Sequence, residues 1–368
     1  MRRPPKRRMR GQASKTEASR RLPAVTALLT ALWWLLVLPE PAWAWGPATH
    51  VALGEAVLGA LYLLPPAVQA ILERYPLHFL YGSVAADISF AKKYVPEGRH
   101  CHNWEIGEEI LASAESERLQ AVGYGYLAHL AADTIAHNIF VPRQLLLTST
   151  TQALGHTYWE HRMDMHVGEG FLSLARHVVV DHDHGEADEL FDDVLSRTVF
   201  SFDTNRRIFR GMIRFQGHER WQRIFGQVLA ASRFDLPAPE VDRYFEHAFE
   251  NVVAYLRERD GSFAAEMDPV GELNLRLAKK VRRRALSDHT ADHPEVLTEM
   301  ADAFFGFPER PLVWWPQIRD PEFASGISSE TAAGRTLPRF SGTVAEASVD
   351  GSGTDGATGP GAERPADD

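Results

Sequence analysis

The chain of 368 residues contains a single cysteine, Cys101, so no intramolecular disulfide can staple it. Stability must come from a large packed core or from bound metal. Strand-like alternation is scarce and no internal repeat is visible. The apolar run near the start, residues 24–38, has fifteen residues, short of the roughly 20 that a helix needs to cross a bilayer. Residues 1–23 are rich in Arg and Lys, and Ala42-Trp43-Ala44 has the small-x-small pattern of a cleavage site. Residues 1–44 therefore read as a secretory signal peptide, with an uncleaved anchor as the alternative. The protein is expected to be exported, periplasmic or extracellular, after cleavage between Ala44 and Trp45. That leader holds nine basic and two acidic side chains, so the formal charge moves from −10 for the whole chain to −17 for the remainder. So acidic a chain disfavours diffuse electrostatic binding to nucleic acid or anionic membrane.

What is present is mostly helical. Thr49 is placed to cap a helix reaching about Leu64, where Pro65-Pro66 stops it, and 104–120 has the pattern of a second helix. A third is expected to end before Pro142. Val241, Phe245, Ala248, Phe249, Val252 and Leu256 recur at helical spacing, and Asp268-Pro269 looks like a cap followed by Pro at the first helical position. The expected fold is all-α: a helical core over 45–200 and a helical region over 201–324 packed on it. Residues 325–368 are rich in Gly, Ser, Thr, Ala and Asp, with almost no large apolar side chains, and are expected to be a disordered tail.

The stretch GYLAHLAADTIAHNIF, residues 125–140, is built of small and apolar side chains, yet it holds His129, Asp133 and His137. At about 100° per residue, positions four apart fall at roughly 0°, 40° and 80°, so all three share one stripe. The alanines around them allow neighbouring helices to approach closely, which points the polar stripe toward protein. An isolated buried carboxylate is costly. One such residue could belong to a self-satisfied His/Asp pair, but three together favour a metal. Two further sets bracket this helix. His156 and Glu160 are again four apart, and upstream lie Trp45, His50, Asp87 and the pair His100 and His102.

Taken in order, these residues resemble the zinc-dependent phospholipase C family and the related single-strand-specific zinc nucleases, which are all-α secreted enzymes holding three zinc ions. The resemblance covers Trp45 to about Asp164. It implies that the amino nitrogen and carbonyl oxygen of an N-terminal Trp45 bind metal together with His50. It implies that Asp87, His102 and His129 serve a second ion, with Asp133 bridging the pair, and that His137, His156 and Glu160 serve a third. His100 is the alternative to His102. The implied reaction is in-line hydrolysis of a phosphodiester, in which metal lowers the pKa of water to about 7 and neutralises the phosphoryl oxygens. Asp87 is the implied general base or hydroxide orienter. Choline-preferring members carry a Glu three residues after the Trp and a Tyr after the first Asp. Here those places hold Ala48 and Ile88, so a different phospholipid headgroup at a membrane surface is the leading substrate. A nuclease or nucleotidase acting on nucleic acid is the alternative, and a zinc-stabilised binding protein without activity the third reading.

Other features have blander explanations. Asp181-His182-Asp183-His184, followed by Glu186, Asp188 and Glu189, could bind a cation, but a solvated loop leading into a helix is the default. The basic run 279–284 could touch anionic lipid, yet cations near a helix C-terminus also complement its dipole. Trp314 and Trp315 are expected to pack on the core rather than dip into a membrane. Cys101, between two candidate histidines, is expected to be a buried thiol rather than a ligand.

Overall fold

A computed structural model describes residues 45–319, apart from 90–94, 96–97, 149–151, 197, 199, 217, 219–220, 224–225, 228–230 and 233, and apart from the side chains of 152–157 and 160. The leader 1–44 and the tail 325–368 thus lie outside the described residues. Fourteen α-helices and no strand occur among the described residues. In chain order these are α1 (Pro47–Leu58), α2 (Pro66–Arg74), α3 (Pro76–Ala85), α4 (Trp104–Ala112), α5 (Glu117–Ile135), α6 (Val141–Thr148) and α7 (Gln152–Val167). There follow α8 (Glu169–Arg176), α9 (Gly185–Val194), α10 (Phe202–Gln216), α11 (Ala238–Glu258), α12 (Glu272–Ser287), α13 (Pro294–Phe305) and α14 (Trp315–Arg319). None of them is long and apolar enough to cross a membrane.

Proline opens α1, α2 and α3, where its missing N–H costs nothing. The expected helix over 104–120 is in fact two. Residues 113–116 break it, and the Ser116 hydroxyl accepts the Leu119 amide at 3.2 Å to start α5. Helix α5 is the axis of the fold, buried along nearly all its length from Ala121 onward, with α3, α4 and α11 packed around it. Its contact with α3 is backbone on backbone. A Cβ on Gly125 would overlap the Phe79 carbonyl, and one on Gly82 would overlap the Val122 carbonyl. Only glycine at both positions allows this crossing.

Pro142 does not end the helix as expected. A π-turn, Ala136–Phe140, joins α5 to α6, and the chain runs on helically through the proline. The wider turn absorbs the missing donor, and the carbonyl of Asn138, which Pro142 cannot serve, accepts from the Asn274 side chain at 3.3 Å.

Helix α11 carries the expected apolar stripe into the same core, and Asn251 on it donates to Thr134 Oγ1 on α5 at 2.6 Å. The Glu250 carboxylate accepts the amides of Trp314 and Trp315, and the Trp315 indole donates to Glu246 at 3.0 Å, so this tryptophan pair packs on the core as expected. A smaller apolar cluster, including Leu146, Val281, Leu297 and Phe305, ties α12 and α13 to α6.

Helix α1 starts earlier than expected and stops sooner, at Leu58. Its N-cap is Gly46, not Thr49. The cap comes from a distant residue: Asp164 on α7 accepts the Thr49 amide at 2.9 Å, the Thr49 hydroxyl at 2.7 Å and the Ala48 amide at 3.4 Å. A Cβ on Gly46 would overlap this carboxylate. Burial pushes the Asp164 carboxyl up to about 6, and its Thr49 hydrogen bonds oppose that rise. Replacing Asp164 by Ala orphans these buried donors and should lower the free energy of unfolding by about 2 kcal/mol. Asp164→Asn, which keeps an acceptor, should cost less than half as much. Urea unfolding followed by circular dichroism decides, and an Ala variant as stable as the wild type would refute the cap.

Candidate metal centre

The expected ligands come from four chain segments. Helix α1 supplies His50, a 3₁₀ turn (Ala86–Ile88) after α3 supplies Asp87, and the loop before α4 supplies His102. Helix α5 and its π-turn supply His129, Asp133 and His137. All six are buried, at 3% exposure or less.

Asp133 stands at the centre. Its Oδ2 is 3.1 Å from His102 Nε2 and 3.2 Å from His129 Nε2, and those two nitrogens are 3.2 Å apart. Asp87 Oδ1 lies 3.4 Å from the same His102 nitrogen. On the other side, Asp133 Oδ1 is 3.4 Å from His50 Nε2. The His50 and His129 rings are stacked with centroids 3.9 Å apart, and the nearest His137 nitrogen is 3.7 Å from Oδ2. A cavity of about 10 Å³, lined by His50, Gly54, Ser83, His129 and Ala132 among others, adjoins the cluster.

The tautomers are set from outside. Ser83 carbonyl accepts from His129 Nδ1 at 2.9 Å, and Pro269 carbonyl accepts from His137 Nδ1 at 2.6 Å. Each of these rings therefore carries its lone pair on Nε2, the arrangement that backbone carbonyls impose on metal-binding imidazoles. The first bond depends on the glycine crossing of α3 and α5, which brings Ser83 against His129. The second depends on Gly271 (φ 62°), whose missing Cβ leaves room for His137. The Asp268 carboxylate accepts the Val270 and Glu272 amides at 2.9 and 3.2 Å, so it caps α12 three residues later than Asp268-Pro269 suggested.

These atoms fit a cation. Both Asp133 oxygens and His50 Nε2 are buried and make no hydrogen bond of acceptable geometry, although each faces the other's side of the cluster. A buried carboxylate left that way would cost several kcal/mol. Donor atoms about 2.0–2.2 Å from one tetrahedral zinc lie about 3.3–3.6 Å apart, close to the 3.1–3.2 Å among His102, His129 and Asp133 and the 3.4 Å from His102 to Asp87. The two oxygens of Asp133 face separate imidazole sets, as a carboxylate shared by two ions must. Burial alone would raise the Asp133 carboxyl, but the surrounding His129, His137 and His102 hold it well below the usual carboxylate range. Burial, then His129, lowers His50.

His102, not His100, enters the cluster. His100 Nδ1 instead accepts the His102 amide at 3.1 Å and helps shape the loop. Cys101 is buried, its thiol 3.3 Å from His102 Nδ1 on the side away from the Nε2 contacts. Trp45 is fully buried, its ring 6.3 Å from that of His50. The side chains of His156 and Glu160 lie outside the described residues, although both belong to α7, the helix that caps α1 through Asp164.

Ser83, Asp164, Pro269 and Gly271 were not singled out as site residues from sequence, since three of them act through backbone and the fourth through a contact 115 residues away in the chain. His129→Ala and Asp133→Ala should each strip transition metal from the purified protein, and His102→Ala should lose more than His100→Ala. Elemental analysis of folded variants measures this. Full metal content in the Asp133 variant would refute the centre.

A family model described as zinc dependent phospholipase C matches residues 49–204. No curated protein and no solved structure matches the chain. The matched segment holds His50, Asp87, His102, His129, Asp133 and His137, and it stops before α11 and before the 268–274 segment that supports His137. Residues 49–204 are thus similar in sequence to the zinc-dependent phospholipase C family.

Proposed function

We propose that the mature protein is an exported, zinc-dependent phosphodiester hydrolase that releases the phosphorylated headgroup of a phospholipid. The observation that carries this proposal is the Asp133 cluster, two carboxylates and four imidazoles gathered in the buried core within the matched segment. Zinc ions held there supply Lewis acidity to phosphoryl oxygens and a nucleophilic water near neutral pH. Asp133 would hold zinc together with His50, His102 and His129, and Asp87, beside His102, would orient or deprotonate a water there. Ser83 and Pro269 lock the His129 and His137 rings and leave the lone pair of each on Nε2, that of His129 aimed at Asp133. With His156 and Glu160 on α7 added, the donor set suffices for three ions.

Lipid is favoured over single-stranded nucleic acid by two of the described aromatic side chains near the cluster. Base stacking needs an open ring face. Trp45, whose ring is 6.3 Å from that of His50, and Phe140 are fully buried and packed on each other at 6.2 Å, so neither offers one. Ala48 and Ile88 are buried as well, which supports a headgroup other than choline. On mixed phospholipid vesicles, chelator-sensitive release of phosphorylated headgroup and diacylglycerol should far exceed cleavage of single-stranded DNA. The opposite preference would select a nuclease, and no turnover of either a binding protein.

Export is part of the same proposal, because cleavage after Ala44 would free the Trp45 amino group. A terminal amine has an unperturbed pKa of about 7.7–8.0, so a metal can displace its proton and chelate nitrogen and carbonyl oxygen together. An internal Trp cannot. Protein beginning at Trp45 should therefore hold one more zinc, and show at least tenfold more activity, than a version keeping one Met before it, with equal helicity. Equal metal and activity in the two, after mass spectrometry confirms both N-termini, would exclude the terminal chelate.

A further inference from the structure

A second histidine cluster lies outside the Asp133 centre and shares no residue with it. The segment 181–184 was expected to be a solvated loop, but His184 is only 6% exposed. Its Nε2 donates to the Val178 carbonyl at 2.9 Å, which leaves Nδ1 as the lone-pair nitrogen, and that atom is buried with no hydrogen-bond partner. The ring cannot turn away, because it is stacked on Tyr81 at 3.7 Å and 4°, and the Tyr81 hydroxyl donates to Asp188 at 2.5 Å. His182 comes from the same loop and His78 from α3. One nitrogen from each of the three rings lies within 4.8 Å of the others.

The spacing of the rings matches coordination rather than ordinary packing. Three imidazoles on one tetrahedral ion, with nitrogens about 2.0–2.1 Å from it, place their ring centroids about 5.2 Å apart. Here the centroid separations are 5.4, 5.5 and 4.7 Å. All three pairs meet at steep angles, 63° to 88°, so the rings radiate from a common point instead of stacking on each other.

We propose that His78, His182 and His184 form an additional zinc site, which clips the loop before α9 to α3. Neutral imidazoles suit zinc among the divalent ions, and copper or nickel would share the chemistry. Glu186, in the first turn of α9, is held by Arg118 at 3.4 Å, so the fourth position falls to solvent or an added ligand. His78 and His182 are both part-exposed, which gives the ion an entry path from solvent. The site is independent of the reaction proposed above.

The test counts zinc in folded mature protein, equilibrated with zinc and then freed of loosely held ions by gel filtration. His78→Ala/His182→Ala should hold one zinc fewer per chain than the wild type. The same difference should appear in a His129→Ala background, where the Asp133 centre is disabled. Unchanged zinc in the double variant, with wild-type circular dichroism, would overturn the site. Should the double variant fail to fold, His182→Ala alone is read in the same way, since its side chain is part-exposed. A one-ion loss confined to the wild-type background would also overturn the proposal, because it would trace the ion to the Asp133 centre.

Discussion

Everything around the central helix follows from placing one carboxylate, Asp133, where water does not reach it. Moving a carboxylate into such surroundings is costly unless opposite charge comes with it. Imidazoles alone do not settle that account, since the proton-bearing nitrogen of His129 points outward to the Ser83 carbonyl and leaves its lone pair on the side of Asp133. His102 Nε2 and His129 Nε2 lie 3.2 Å apart with the Asp133 carboxylate beside them, so a proton or a cation between them is needed to make this arrangement favourable. The glycine contact at Gly82 and Gly125 serves the same end. It closes α3 onto α5 until Ser83 can hold His129, and it sets Asp87, one turn beyond Ser83, at the rim of the cluster.

The π-turn after Ile135 extends this logic. Three ligands at strict α spacing would share one narrow stripe and serve one place. The turn at Ala136–Phe140 is widened, and His137 presents to Asp133 its Nδ1, 3.7 Å away and bonded to Pro269, where His129 presents its Nε2 at 3.2 Å. A ligand so placed can serve a neighbouring ion while staying on the same helix. The supports for this turn come from far along the chain: Pro269 for the ring, Asp268 for Asn138 Nδ2 at 2.8 Å and Asn274 for the Asn138 carbonyl. The family match ends at residue 204, yet this turn leans on residues 268–274, and α5 leans on Asn251 of α11. The region beyond the match is therefore part of the scaffold of the centre, not an appendage.

How much of this was legible in the sequence depends on the range of the interaction. The all-α class and the α11 stripe are readable because helical periodicity is local. So is the grouping of His129 with Asp133, because residues four apart must share a face. The break at 113–116 was readable in principle, since Ser116 is a good cap, but the apolar pattern on either side masked it. Pro142 misled because its usual effect was overridden by tertiary partners, Asn274 above all. Thr49 misled for a similar reason: it has the chemistry of a cap, but Asp164 from α7 takes that role and uses Thr49 as donor. The choice of His102 over His100 needed the fold, since neighbouring alternatives in a loop differ only in which way the backbone turns. Nothing local marks Ser83 or Pro269, whose contribution is a carbonyl oxygen that every residue owns.

Helix α3 links the two histidine clusters, and this gives it a mechanical role. His78 lies five residues before Ser83, about 7.5 Å along the axis at 1.5 Å per residue. The helix is thus held near its start by the rings of His182 and His184, along its middle by Tyr81 against His184 and Asp188, and farther on by the glycine crossing with α5. An ion bridging His78 to the 182–184 loop would restrain the end of α3 opposite Asp87. Small rotations of α3 about its contact with α5 would otherwise swing Ser83 off His129 and Asp87 off His102 together, because both ride on the same rigid element. Holding a short helix at several points along its length fixes Ser83 and Asp87 together, so the contacts of His78 and Tyr81 contribute to the scaffold of the centre.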